Sequence, residues 1–344
     1  MRAAGRLIAA LIGSVAALCA QFKSTVPLVV APTTVTDEKG RFVDGLTDRD
    51  LVLYDNNVPQ AIQVDTVINP ISLVVLIEAS FNSAAMLDKL GRSGVLFTDM
   101  LAAEAGETAV MSFSDRVKLA QGFTTDGARV THAVRALRVQ GDGVALYEGV
   151  SAALDLLATR SPSRRRVLLV IAERRDRSSK LDLATLLNEG QLQNTTIYWL
   201  TYSTLLEPYT NRRKSKWDRM TDDEKNDPRR MRSSKVPSPE EEEQLPVDLR
   251  PGDLIGVIVE VAHRTRVDAA NLLTRTTGGR TFNFLKQSGL ENAIQAVAEE
   301  VHRQYIVSFQ PKPDTAGLYH GIRAEVKDRP ELRVRTRAGY WSVP

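Results

Sequence analysis

The stretch Val74–Met86, VVLIEASFNSAAM, decides the fold. It begins inside Ile71 to Ile77, a near-continuous apolar run of strand length. A strand that is apolar on both faces belongs inside a parallel sheet, covered by helices above and below. Glu78-Ala79-Ser80-Phe81-Asn82-Ser83 then breaks the run with polar side chains. Leu87, Leu90, Gly94, Phe97 and Leu101 follow at helical spacing. Strand, polar loop and helix in that order form the unit from which doubly wound sheets are built, and such sheets bind ligands at the carboxyl ends of their strands.

The same rhythm continues downstream. Thr108 to Phe113 reads as a strand, with Val117 to Ala120 as its hairpin partner, and Ala128 to Leu137 as a helix. Leu146, Val150, Leu154 and Leu157 mark another helix, and Val167 to Ile171 is the most apolar strand in the chain. Leu181 to Leu192 reads as helix and Thr196 to Leu200 as strand. A long helix is expected over Ile255 to Thr276, stopped by Gly278-Gly279. Arg280 to Phe282 is a short strand, and Leu290, Ile294, Val297 and Val301 mark the last helix.

Both ends of the chain read differently. Residues 25–68 hold short strands separated by turns such as Asp37-Glu38-Lys39-Gly40 and Asp55-Asn56-Asn57. Tyr305 to Phe309, Gly321 to Val326 and Leu332 to Thr336 are strands as well. Each set is too small to stand alone, so the two are expected to pack together.

Composition limits the function. The 344 residues are 43% hydrophobic, enough for one good core and a smaller second one. A net charge of +3 with 25% charged residues gives a mixed surface, and the sparse aromatics do not interleave with the basic residues, so no nucleic-acid partner is expected. Met1 to Arg6 is basic, Leu7 to Leu18 is apolar, and Cys19-Ala20-Gln21 follows. This reads as a secretory signal peptide, residues 1–20, cleaved after Ala20. The apolar run is short of the roughly 20 residues that span a bilayer, so no membrane span is expected after cleavage. Cys19 is the only cysteine, and its loss with the signal excludes thiol chemistry. Residues 206–252 carry Arg212-Arg213-Lys214 and Arg229-Arg230 at one end and Glu240 to Glu243 at the other, with few apolar anchors. The expectation there is a charged, disordered insertion.

Taken together, several short motifs resemble the von Willebrand factor A (vWA) domain, and within it the exported VWFA-related proteins of the type best known from Acidobacteria. They are Val35-Thr36-Asp37 with Gly40-Arg41, Gly45-Leu46-Thr47, Ala145-Leu146-Tyr147, Thr276-Thr277-Gly278-Gly279-Arg280, Arg303-Gln304-Tyr305-Ile306 and Gly339-Tyr340. The resemblance implies an α/β, Rossmann-like, doubly wound and mostly parallel sheet over residues 70–205 and 253–304. A small β unit accompanies it, formed by an N-terminal segment, 21–69, and a C-terminal segment, 305–344.

The resemblance also implies a metal-ion-dependent adhesion site. Its oxygens come from Asp-x-Ser-x-Ser, from a Thr ahead of the Leu-Tyr helix, and from an Asp after the central strand. Here Glu78, Ser80 and Asn82 stand in the first loop, Val144 at the Thr position, and Glu173 followed by Arg174 in the third; Asp142 is a further candidate oxygen. Longer acids, an amide and an apolar residue suit the octahedral demand of Mg²⁺ badly. The site is therefore read as degenerate, with no resident cofactor and at most weak Mg²⁺ or Ca²⁺ binding. In the metal-free case Glu78 and Glu173 are expected to pair with Arg174 or Arg175.

No catalytic pattern accompanies these loops. A nucleophile elbow and a phosphate-binding Gly-Lys loop are absent, Gly141-Asp142-Gly143 lacks the third glycine of a dinucleotide loop, and His132, His263, His302 and His320 form no metalloprotease motif. The sequence thus points to a non-catalytic, exported module, in the periplasm or at the cell surface, that binds a protein partner in scaffolding or adhesion. Metal-dependent adhesion and a cell-envelope hydrolase with an unrecognised site are the alternatives.

Overall fold

Residues 28–65, 70–94, 96–99, 106–192, 194–202, 268–311 and 319–341 are described by the structure, a computed structural model. The expected signal peptide and the expected charged insertion lie outside them, as does most of the helix expected over Ile255 to Thr276. The described residues open with β1 (Val29–Thr36), β2 (Leu51–Asp55), β3 (Val58–Pro59) and β4 (Ile62–Asp65). The α/β part follows: β5 (Ile71–Glu78), α1 (Ala84–Ser93), α2 (Leu96–Asp99), β6 (Glu107–Phe113), β7 (Val117–Thr124), α3 (Gly127–Ala136), α4 (Leu146–Ala158), β8 (Arg165–Ile171), α5 (Leu183–Leu192) and β9 (Thr195–Tyr202). It ends with α6 (Ala269–Thr277), β10 (Thr281–Phe284) and α7 (Gln287–Arg303). Four more strands close the chain: β11 (Tyr305–Phe309), β12 (Tyr319–Val326), β13 (Arg333–Arg335) and β14 (Gly339–Trp341).

The central sheet runs β10-β9-β8-β5-β6-β7. Every neighbouring pair is parallel except β6 with the edge strand β7, which turns back antiparallel through a short hairpin. Counted from β5, this is the doubly wound order, and the chain reverses direction across the sheet between β5 and β8. Alternation along β5 feeds both layers. Leu73, Val75 and Ile77 pack with Leu90 of α1, Val130 of α3 and Ile294 of α7. Val74 and Leu76 face Val150 and Leu154 of α4 and Leu273 of α6. Burying each such side chain is worth about 1.5–3 kcal/mol, so the apolar run that stood out in the sequence is the centre of two cores.

Gly278 ends α6 in the left-handed region at φ 83°, where its N–H and that of Gly279 return to the carbonyls of Arg275 and Thr274. This is the helix-stopping turn that the Gly-Gly pair predicts.

The terminal strands do pack together. They form two antiparallel sheets, β13-β1-β11-β4 and β14-β12-β2-β3, each mixing strands from both ends of the chain. Their shared core holds Val35, Leu53, Val307, Phe309 and Tyr340. This β unit is fastened to the amino ends of the central strands. Arg165, at the start of β8, donates to Gln304 Oε1 at 2.9 Å, and Gln304 Nε2 in turn donates to Thr34 Oγ1 of β1 at 3.3 Å. Arg335 pairs with buried Glu300, and buried Arg337 reaches Val30 O at 3.2 Å and Asn194 Oδ1 at 2.7 Å. The carboxyl edge of the sheet is left clear of the β unit. Among the described residues no helix is long and apolar enough to cross a membrane.

Candidate functional site

At the carboxyl edge, Glu78 ends β5 and is wholly buried. A carboxylate there needs several donors, and it has three. Ser80 Oγ donates to Oε1 at 2.5 Å, while the Glu173 N–H and the Tyr202 hydroxyl donate to Oε2 at 2.8 and 3.1 Å. Burial pushes the Glu78 carboxyl above its usual range, and these donors offset only part of that shift. Tyr202, at the end of β9, is pushed upward by burial and by the neighbouring Glu78, so it remains a proton donor. Glu78 thus ties the ends of β5, β8 and β9 together.

The loop after β8, Glu173 to Lys180, folds back over the start of α4. Ala145, the residue before that helix, offers no side-chain cap. Asp176 Oδ1 and Ser179 Oγ supply it from across the edge, accepting from the N–H groups of Leu146 at 3.0 Å and Tyr147 at 2.9 Å. Val144 is buried and apolar, and its backbone anchors the loop. Its carbonyl accepts from the N–H groups of Arg177 and Ser178, and its own N–H donates to Ser178 Oγ.

That path sets the Arg177 guanidinium over the first loop. Nη2 lies 2.8 Å from Glu173 Oε2. With the Asn82 amide in the orientation its hydrogen bonding assigns, the amide oxygen accepts from Arg177 Nη2 at 3.2 Å and also from Nη1. One cationic side chain therefore bridges Glu173 and Asn82. Arg174 turns the other way, to Asp268 Oδ2 at 2.5 Å and Asn283 Oδ1 at 2.6 Å. The carboxyl of Asp268 is raised by burial, which outweighs the pull of Arg174.

The Gly141-Asp142-Gly143 loop lies alongside. Gly141 bridges Ser80 in parallel, and the Phe81 N–H donates to Gly141 O at 3.0 Å. A Cβ on Gly141 or Gly143 would overlap the Asp115 carboxylate, which nests against both glycines.

No protein-family model matches this chain, and no curated protein does. Solved structures similar to it include the VWA domain of SpRpn10, at 15% identity over 40% of this chain and 78% of that one, with a TM-score of 0.33. BatB from Bacteroides thetaiotaomicron is 11% identical over 67% of this chain and 99% of that one, with a TM-score of 0.41. The vWF domain of the type V pili tip protein Mfa5 from Porphyromonas gingivalis is 13% identical over 69% and 96%, also at 0.41.

The fold is von Willebrand A-like. The six-stranded sheet with helices on both faces carries that statement, and likenesses at these identities transfer no residue roles.

Within the vWA-like domain, Glu78, Ser80, Asn82 and Glu173 do converge. Asp142 lies on the adjoining loop, is exposed, and makes no hydrogen bond or ion pair among the described residues. The expected pairing with Arg174 or Arg175 is corrected. Glu173 pairs with Arg177, Glu78 is held by neutral donors, and Arg174 belongs to Asp268. The reason is steric: the loop must run along Val144 to cap α4, and this brings the fourth residue after Glu173 back to it. Tyr202 and Arg177 were not singled out from the sequence. The i,i+4 opposite charges in Glu173-Arg174-Arg175-Asp176-Arg177 were the available signal for the arginine; nothing local marked the tyrosine.

Proposed function

We propose that the chain is an exported, non-catalytic protein-binding module whose carboxyl sheet edge meets a protein partner without a metal ion. The observation that supports this reading is the Arg177 bridge between Glu173 and Asn82. A fixed guanidinium engages the groups to which the resemblance assigns a cation. The donor set does not fit a hard divalent ion. Both Glu78 oxygens already accept hydrogen bonds, the Val144 side chain has no ligand atom and its carbonyl accepts from Arg177 and Ser178 N–H, and Mg²⁺ takes oxygens in near-octahedral array at about 2.0–2.1 Å. Arg177 neutralises Glu173 and donates to the Asn82 amide oxygen, so the acid and the amide are both engaged by one guanidinium.

Two measurements test the reading. Calorimetric titration of residues 21–344 with Mg²⁺, Mn²⁺ and Ca²⁺ is expected to show no saturable binding. Saturable binding that both Ser80→Ala and Glu173→Ala abolish would restore metal-dependent adhesion. A photo-crosslinking residue at Phe81 is expected to trap a protein partner in the producing cell, in the presence of chelator. Trapping from β7 positions but not from Phe81 would move the binding face elsewhere.

A further inference from the structure

We infer that the outer face of α3 binds an acidic polysaccharide, whose carboxylate or sulfate groups are taken by Arg129, Arg135 and Arg138, with Arg92 and Lys118 at the flanks. This face is separate from the carboxyl edge, so the inference goes beyond the reading above and does not rest on it.

Residues 127–140 hold three arginines, one histidine and no acid. Val130, Ala133 and Val134 turn inward to the core, while Arg129, His132, Arg135 and Arg138 are exposed. A step of three residues advances about 4.5 Å along a helix, so these side chains form a row rather than a cluster. The row runs the height of the sheet. It starts after Thr124, which pairs with Thr108 near the amino end of β6, and it ends where the Gln140 N–H reaches Ala79 O at 2.8 Å. Two neighbours widen it. Gln140 Nε2 donates to Ser112 Oγ at 2.7 Å, and Lys118 of β7 is the cross-strand partner of Ser112, so Lys118 projects from the same face. On the other side, Arg135 Nε donates to Gly91 O at 3.2 Å, and the next residue of α1, Arg92, is exposed.

These cations keep donors to offer. Arg135 uses Nε alone among its nitrogens, and Arg138 uses Nη1 on the carbonyls of Arg135 and Leu137. A guanidinium has five N–H donors, so both retain others. Arg129 lies 3.6 Å from Asp126 in an exposed pair, a contact that water screens. Arg92, Lys118 and His132 make no hydrogen bond or ion pair among the described residues.

The acids on the elements around α3 are few. Asp126 is spent on capping the helix, where it accepts from Ala128 and Arg129 N–H. Glu107 of β6 is held by Arg160 and Arg164. Asp88 of α1 and Asp99 of α2 remain, and Lys89 stands next to the first. β7 carries none, and in the hairpin before it Asp115 is followed by Arg116. The face is therefore net positive.

Its chemistry selects the kind of anion. The exposed large apolar residues among those described are Leu28, Val58, Phe81, Leu119 and Leu285, and none lies on α1 or α3. Protein interfaces and membrane-lying helices need apolar anchors, and single-stranded nucleic acids stack on aromatic rings. A polysaccharide with repeating acid groups needs only charge and a row of N–H forks, which arginines supply.

The test passes residues 21–344, in chelator and at low ionic strength, over immobilised alginate, dextran sulfate and uncharged dextran, with duplex DNA and phosphatidylglycerol vesicles as rival anions. One or both acidic polysaccharides are expected to retain the protein and to release it as salt rises; dextran is expected to retain none, and DNA and vesicles less. Arg92→Glu with Lys118→Glu, at positions that have no partner to lose, is expected to bind about tenfold more weakly. Adding Arg129→Gln and Arg135→Gln is expected to abolish retention. Lys39→Glu with Arg175→Glu makes the same change in net charge on other surfaces and is expected to bind like the parent. Thermal melts check that each variant folds. Retention by neither polysaccharide, unchanged binding by the Arg92, Lys118 pair, or equal loss in the two pairs overturns the inference. So does tighter binding to DNA or to the vesicles.

Discussion

Nη2 of Arg177 stands 2.8 Å from Oε2 of Glu173, four residues earlier on the same loop. The acid is nearly buried and the base is half in solvent, so the pair is screened on one side only. Arg177→Ala strips Glu173 of its counter-charge and Asn82 of its donor. The expected loss is about 1–2 kcal/mol in urea unfolding. The same variant leaves the Glu78 oxygens engaged by Ser80, Glu173 and Tyr202 and Val144 apolar, so calorimetry is expected to show no saturable Ca²⁺ or Mg²⁺ binding in it either. A variant as stable as the parent would mean that the bridge is incidental.

A second acid, far from the edge, gives the fold a pH dependence. Glu107 accepts from Ser72 Oγ at 2.7 Å and Arg160 at 2.7 and 3.0 Å, and Arg164 lies 3.2 Å away. Burial pushes its carboxyl up, but the Ser72 hydroxyl and the two arginines outweigh burial and hold it below the usual value of 4.5. The folded state therefore binds fewer protons than the unfolded state, and the stabilisation is present above 4.5 and lost as pH falls through the lowered value. Glu107→Gln is expected to be about 1–2 kcal/mol less stable at neutral pH. The gap should close in acid, read by urea melts at several pH values; a gap that persists at low pH would assign the loss to packing.

Two glycines separate close backbone approach from side-chain crowding. A Cβ on Gly279 would overlap the backbone carbonyl of Ile197, which cannot move without shifting β9. Gly279→Ala is expected to cost about 3 kcal/mol or more. At Gly143 the main obstacle is the tip of the Asp115 side chain, with Ser178 Oγ at 3.0 Å, and Asp115 is exposed and can swing away. Gly143→Ala is expected to cost about 1 kcal/mol, most of it recovered in the Gly143→Ala, Asp115→Ala double variant. Equal costs at the two glycines would contradict this placement.

The sequence spoke clearly where one physical signal dominated. Val74 to Ile77 and Val167 to Ile171 could only be central strands, and Gly278-Gly279 could only stop a helix. The pairing of terminal strands followed from the instability of small β sets. At the edge, the four converging residues were legible because they sit at strand ends, whose position the fold class fixes. Their partners were not. Which of three arginines reaches Glu173 depends on a loop pinned to Val144 by backbone bonds, and side-chain periodicity carries no trace of them. Tyr202 reads as one more strand residue until the strand's end is laid beside Glu78.

Glu78 decides whether this edge is a weakened ligand set or a strut. A strut needs its hydrogen bonds and no charge. Glu78→Gln keeps the shape, and the Ser80 hydroxyl can rotate to accept from the new amide N–H, so the fold should survive unchanged at acid pH. Glu78→Ala leaves the Glu173 N–H and the Tyr202 hydroxyl without their acceptor and opens a cavity, with an expected loss of about 2–4 kcal/mol. Burial raises the folded-state pKa of Glu78, so the native protein binds a proton more tightly than the unfolded chain. The favourable contribution of the neutral acid is complete below the unfolded value and is lost as pH rises through the raised one. Glu78→Gln has no proton to lose, so its stability relative to the parent should increase as pH rises above 4.5. Thermal melts of both proteins across that range measure the difference. A variant that instead loses ground to the parent as pH rises would show that the carboxylate form is the working one, as a cation ligand requires.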